Sequence, residues 1–219
     1  MKKGWNEYQT YIFDMDGTLY YQAPFRKRMF REMLRYYMCH MNRWKQAFVL
    51  RDYRRMREDA QILARVDFEE NIRKMLVNAY SYSKEKIDRI IAEWIYERPL
   101  PFLAEYRDEK LAEEFVRLHE QKKQLLIYSD YPAERKAEVL GLKVDGCYSP
   151  DGMHILFLKP DASGLNYILN QLDITKEEVL YIGDRYEKDG ICAQTAGIDY
   201  CILPRNKRKR QQWYKEIGL

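Results

Sequence analysis

The sequence is short of the features that mark a membrane-spanning, secreted or zinc-stapled protein. None of its apolar runs approaches the roughly 20 residues needed to cross a bilayer. Mean hydropathy is −0.66 and 33% of residues are charged, so a soluble chain is expected. The opening Met1-Lys2-Lys3-Gly4-Trp5-Asn6-Glu7 has two lysines and no apolar stretch behind them, which argues against a secretory signal. The four cysteines (Cys39, Cys147, Cys192, Cys201) are scattered and form no CxxC pair. That pattern argues against a disulfide framework and a zinc site, and fits reduced thiols in a cytoplasmic protein. The histidines His40, His119 and His154 lack metal-like spacing and are given no role. Internal repeats and low-complexity segments are absent.

A chain of 219 residues suits one core domain plus a smaller insert. The net charge of +4 hides an asymmetry. Residues 21–60 hold eleven Lys/Arg against four Asp/Glu, a local +7, so the remainder carries −3. A basic face attracts anions, and it is equally consistent with a solvated helix surface. The basic run from Arg205 to Arg210 reads as a solvated end.

Tyr11-Ile12-Phe13 is a short apolar run ending at Asp14, and Gly17 then breaks regular structure, as a strand followed by a tight turn would. From Pro24 to Glu97 the pattern is helical. Phe25, Met29, Met33, Tyr36 and Tyr37 recur at helical spacing, as do Ile87, Ile90, Ile91, Trp94 and Ile95, with Ser83 as an N-cap. The Met, Tyr and Trp residues of this stretch read as its helix core. Beyond Pro99 and Pro101, helix and strand alternate. Leu111, Phe115 and Leu118 mark a helix, and Leu125 to Tyr128 a buried strand. Pro132 to Leu140 is a short helix closed by Gly141, which Asp130 would cap. Cys147-Tyr148 is a short strand. Leu165, Ile168, Leu169 and Leu172 mark the next helix, and Val179–Ile182 and Tyr200–Leu203 the last strands. Thr175 to Glu178 mimics a capping box, but a strand follows at once, so a turn is expected. The alternation predicts an α/β fold, a Rossmann-like parallel sheet covered on both faces. It is formed by residues 1–20 and 102–219, with an all-helical domain inserted over 21–101.

Asp14, Ser129 and Asp184 come at the C-terminal ends of apolar strands, where open α/β sheets bind ligands. A carboxylate such as Asp14 is a competent nucleophile toward phosphorus once the phosphate charge is screened. Asp16, a second carboxylate, can protonate the leaving oxygen and later deprotonate water, a role that requires it protonated at working pH. Asp14 and Asp184 offer hard oxygen ligands for Mg2+. Lys159 adds a fixed positive charge, and Ser129 a hydroxyl for a phosphate oxygen.

Four segments carry a family likeness: Asp14-Met15-Asp16-Gly17-Thr18, Ser129-Asp130, Lys159-Pro160 and Gly183-Asp184 with Asp189-Gly190. In this order they resemble the haloacid dehalogenase superfamily, its phosphoglycolate-phosphatase-like branch with a helical cap. The resemblance implies that Asp14 becomes phosphorylated and that Asp16 is the general acid/base, its backbone carbonyl binding Mg2+. It also implies that Ser129 and Lys159 hold the phosphoryl group, that Asp184 is a metal ligand and that Asp189 supports the metal site. It further implies a cap that closes over the site and selects substrate. Dehalogenases of this type lack the second aspartate, so Asp16 points to phosphoryl transfer. The chain departs from the branch at Tyr20-Tyr21-Gln22-Ala23-Pro24, where an Asp/Ser-rich start is common. The expected activity is Mg2+-dependent hydrolysis of a small phosphorylated metabolite, with no membrane or nucleic-acid partner. The alternatives are a phosphomutase, or a non-catalytic protein that binds nucleic acid or another acidic partner.

Overall fold

Tyr11, Ile12 and Phe13 are wholly buried because the strand that carries them is flanked by strands on both sides and by helices on both faces. The computed structural model describes residues 2–59, 67–150 and 158–219; His154 lies outside them. In chain order the strands are β1 (Thr10–Phe13), β2 (Gln124–Tyr128), β3 (Gly146–Tyr148), β4 (Val179–Gly183) and β5 (Asp199–Ile202). All pair in parallel, in the order β3-β2-β1-β4-β5. The principal helices among the described residues are α1 (Gln22–Cys39), α2 (Lys45–Glu58), α3 (Phe68–Tyr80), α4 (Lys84–Ile91), α5 (Glu109–Glu120), α6 (Glu134–Val139), α7 (Ser163–Gln171), α8 (Ile191–Ala196) and α9 (Lys207–Glu216). None is long and apolar enough to cross a membrane.

The three central strands are apolar on both faces, as a covered parallel sheet demands. Ile12 sits opposite Leu126 and Tyr181, and these pack with Leu165, Ile168, Cys192 and Ala193 on one face. Tyr11 and Phe13 point the other way, in the period-2 alternation of a strand. There Phe13 meets Phe115 at 4.4 Å between ring centroids, and Tyr11 meets Trp5 at 5.8 Å. Parallel pairing brings the C-terminal ends of β1, β2 and β4 to one edge. The ladder continues past the strand, with the Asp14 amide donating to the Ile182 carbonyl at 2.8 Å.

The chain forms two compact units, Met1–Pro24 with Leu103–Leu219, and Phe25–Phe102. In the second, Ile72, Leu76, Ile87, Ile90 and Ile91 are buried, and Ser83 caps α4 by accepting from the Lys86 amide. The helix predicted to run on through Ile95 leaves α-geometry at Ala92. A π-helical turn spans Ala92–Glu97, and the Arg98 amide donates to Glu93 at 2.8 Å. Trp94, on this turn, stacks on Tyr37 at 5.5 Å. The Met residues read as helix core divide between core and surface. Met29 is buried, whereas Met38 and Met41 are 62% and 70% exposed. Thr175 to Glu178 forms the expected turn, a single 3₁₀ one, with Thr175 Oγ1 donating to Glu178 Oε2 at 2.7 Å.

Candidate active site

Asp14 follows β1 directly, and the chain then turns at Gly17, whose φ of +103° is open to glycine at little strain. A Cβ there would stand 2.5 Å from Asp184 Oδ2, so the opening turn lies against the loop after β4. Gly183 has a similar reason to be glycine, since a Cβ would stand 2.4 Å from the Asp189 side chain. The result is a buried trio. Asp14, Asp184 and Asp189 are 6%, 6% and 2% exposed, and each offers an oxygen within 4.8 Å of the others'.

Lys159 reaches this trio from the far loop before α7. Its Nζ, on a side chain 2% exposed, donates to Asp14 Oδ1 at 2.5 Å, Asp189 Oδ1 at 2.7 Å and the Tyr181 hydroxyl at 3.0 Å. An ammonium has three donors, and all three are used. Asp189 is fixed on its other side, where Oδ2 accepts from the amides of Asp184 (3.2 Å) and Arg185 (3.0 Å). Thr18 Oγ1 donates to Asp14 Oδ2 at 3.2 Å. Burial, and the charges of Asp189 and Asp184 against the pull of Lys159, push the Asp14 carboxyl well above its ordinary pKa. Burial opposes the Lys159 ammonium, yet Asp14 and Asp189 outweigh it and keep the lysine charged. Asp14 and Asp189 thus share the one ammonium inside the trio, and Asp184 Oδ1 is buried with no hydrogen-bond partner. An orphaned oxygen among hard oxygen donors is what a site for Mg2+ requires, so the residues present fit that ion.

Asp16 stands apart from the trio. Its Oδ1 accepts from Lys136 Nζ at 2.6 Å and from the Tyr20 hydroxyl at 2.5 Å. Burial pushes its carboxyl up, but Lys136 and the two hydrogen bonds outweigh that and hold it below the usual carboxylate range. The proton expected on Asp16 from a neighbouring negative charge is therefore displaced by a nearer positive one. Ser129 is 1% exposed at the end of β2. Its hydroxyl accepts from the Tyr131 amide at 3.3 Å, facing its own loop.

Two other expectations change. Asp130 does not cap a helix: α6 begins only at Glu134 and its N-cap position, Ala133, has no side-chain cap. Asp130 instead accepts from the Lys159 amide at 3.1 Å and from Lys188 at 3.3 Å, holding the lysine loop to the sheet edge. The basic end is not uniformly solvated either. Arg210 is fully buried. It donates to the carbonyls of Gly17 (2.7 Å), Thr18 (3.0 Å) and Pro204 (2.7 Å) and to Asp108 (3.2 Å), bracing the opening turn. Its i,i+4 neighbour Tyr214 donates to the same Asp108 at 2.8 Å, and that spacing was the available signal. The roles of Arg210, Tyr181, Lys136 and Tyr20 were not read from the sequence.

Among solved structures, the chain resembles YfnB of Bacillus subtilis, described as a HAD hydrolase and bound to magnesium, at 18% identity and TM-score 0.64, over 97% of this chain and 100% of that one. It also resembles the L-2-haloacid dehalogenase of Xanthobacter autotrophicus (15%, TM-score 0.60, 97% and 84%). A Thermotoga maritima protein described as a β-phosphoglucomutase is a further likeness (18%, TM-score 0.52, 89% and 85%). Comparison with curated proteins yields no match. The family profile of the haloacid dehalogenase-like hydrolases matches residues 8–197, most of the length that carries the sheet and the acidic trio. This chain belongs to the haloacid dehalogenase-like hydrolases.

Proposed function

We propose that the chain is a Mg2+-dependent phosphatase that hydrolyses a small phosphorylated metabolite, a monoester, through a phosphorylated Asp14. The observation that carries this reading is the contact of Lys159 with Asp14 inside the acidic trio, which joins a carboxylate nucleophile to a fixed cation. An Asp14 oxygen attacks phosphorus, and the bond from phosphorus to the ester oxygen breaks. Asp16, ionised beside Lys136 before the ester binds, takes up a proton as the phosphate draws Lys136 toward itself, and gives that proton to the departing oxygen. The resulting Asp16 carboxylate takes a proton from water, whose oxygen attacks the acyl phosphate. The phosphorus–Asp14 bond then breaks and inorganic phosphate leaves. Lys159 and the Ser129 hydroxyl stabilise the phosphoryl oxygens throughout. Mg2+, held by the carboxylates of Asp14, Asp184 and Asp189 and the Asp16 carbonyl, would supply charge screening between nucleophile and phosphate.

Asp16 supports phosphoryl transfer over carbon–halogen cleavage, because a departing alkoxide needs a proton and a halide does not. The ionised Asp16 beside Lys136 is the form that acts on water in the second half. The test is release of p-nitrophenol from p-nitrophenyl phosphate with Mg2+ present. Asp14→Asn is expected to lower turnover by a factor on the order of 10³ or more. A variant that turns over near the wild-type rate rejects the mechanism.

A further inference from the structure

Asp14 and Asp189 have both carboxylate oxygens engaged, whereas Asp184 is engaged at one oxygen only. Its Oδ2 accepts from Arg205 Nε at 2.9 Å, and its Oδ1 is the buried orphan. The two side chains differ sharply in exposure, 3% for Asp184 and 58% for Arg205. Arg205 leans on the carboxylate from just beyond β5, with its Nη2 standing 3.7 Å from Glu187 Oε1. Glu187 is itself paired with Arg185 Nε at 3.0 Å. From the other side Gly17 approaches the same Oδ2 so closely that a Cβ would collide with it. The carboxyl is therefore gripped at one oxygen and open at the other.

We infer that Arg205 is the positioning residue of the divalent-cation site: by holding Oδ2 it turns Oδ1 into the trio. This rests on the reading of Asp184 as a metal ligand. Two effects of opposite sign compete. A guanidinium near a cation repels it, but this one is more than half exposed, and solvent and salt screen the repulsion. A partner that orients a ligating carboxylate is typically worth 10–100-fold in metal affinity. Orientation outweighs repulsion here.

The test is calorimetric titration of Mg2+ into the wild-type chain, Arg205→Ala and Arg205→Lys. Arg205→Ala is expected to weaken Mg2+ binding about 10-fold or more. Arg205→Lys keeps the charge and loses the Nε donor, and is expected to fall between. Equal or tighter binding by Arg205→Ala overturns the positioning role and leaves Arg205 a counter-ion. A wild-type chain that binds no Mg2+ overturns the metal reading, and the positioning role with it. If Arg205→Ala does not fold, Arg205→Lys decides: wild-type affinity overturns the proposal.

Discussion

The two units handle charge in opposite ways. In the α/β unit, Asp14, Asp108, Lys159, Asp184, Asp189 and Arg210 are all buried, and they sit at or behind one sheet edge. Among the described residues of the helical unit, most ion pairs lie outside. Lys84 pairs with Glu70 at 51% and 38% exposure, and Arg35 with Glu32 at 70% and 25%. The buried Arg57, paired with Glu69, is an exception, and Glu69 also pairs with the half-buried Arg73. Burying a charge has a large desolvation penalty that pairing only partly offsets. A fold that does so repeatedly at one edge holds those groups for chemistry, or to brace what does the chemistry. The helical unit is held by apolar packing, and its surface charge adds little to its stability.

Arg210→Ala is the sharpest way to break that comparison. It leaves the Gly17 and Thr18 carbonyls without their buried donor and strips the buried Asp108 carboxylate of its charged partner. Breaking a buried pair from one side costs about 3–5 kcal/mol. Urea unfolding of Arg210→Ala should show a loss of that size, whereas Lys84→Ala should leave the midpoint unmoved. Similar small losses from both variants would mean that burial of charge does not separate the units. Next in size is Ile72→Ala in α3. Ile72 is wholly buried, and deleting such a side chain removes about 2–5 kcal/mol. A loss under about 1 kcal/mol there would leave the helical unit without the apolar core assigned to it.

What the sequence made legible and what it hid follow the same division. Apolar runs such as Val179–Ile182 fix strands whatever lies elsewhere, because a strand covered on both faces tolerates little else. The polar residues at their ends could therefore be placed at one edge in advance. The bracing groups could not. Tyr181 sits in an apolar run and reads as core, yet its hydroxyl lies 3.1 Å from Asp189. Lys136 is an ordinary helix lysine until the fold brings it to Asp16. Arg210 looks solvated inside a basic run, and only its helical register with Tyr214 hinted otherwise. Partners so distant in the chain leave no local pattern, so single residues that join two loops are the part a sequence reading misses.

The finest test of the comparison lies within the opening loop, where two carboxylates two residues apart are pushed in opposite directions. Burial and its acidic neighbours raise Asp14, while Lys136 and Tyr20 overcome burial and lower Asp16. A raised carboxyl is destabilised in its ionised form by folding. Its contribution therefore opposes folding at neutral pH and is relieved as pH falls through the folded pKa. A lowered carboxyl does the reverse: it stabilises the fold above the unfolded pKa of about 3.9, and that stability is lost as pH falls through the folded value. With chelator present, Asp16→Asn should lower the thermal midpoint at pH 7, and the deficit should close on acidification below about pH 4. Asp14→Asn should raise the midpoint at pH 7, since Lys159 keeps Asp189 as its partner and one like charge is gone. Shifts of the same sign would show that the loop treats both carboxylates as one acidic cluster. Opposite signs would show two environments built side by side, one that keeps Asp14 under charge pressure and one that holds Asp16 ionised beside a lysine.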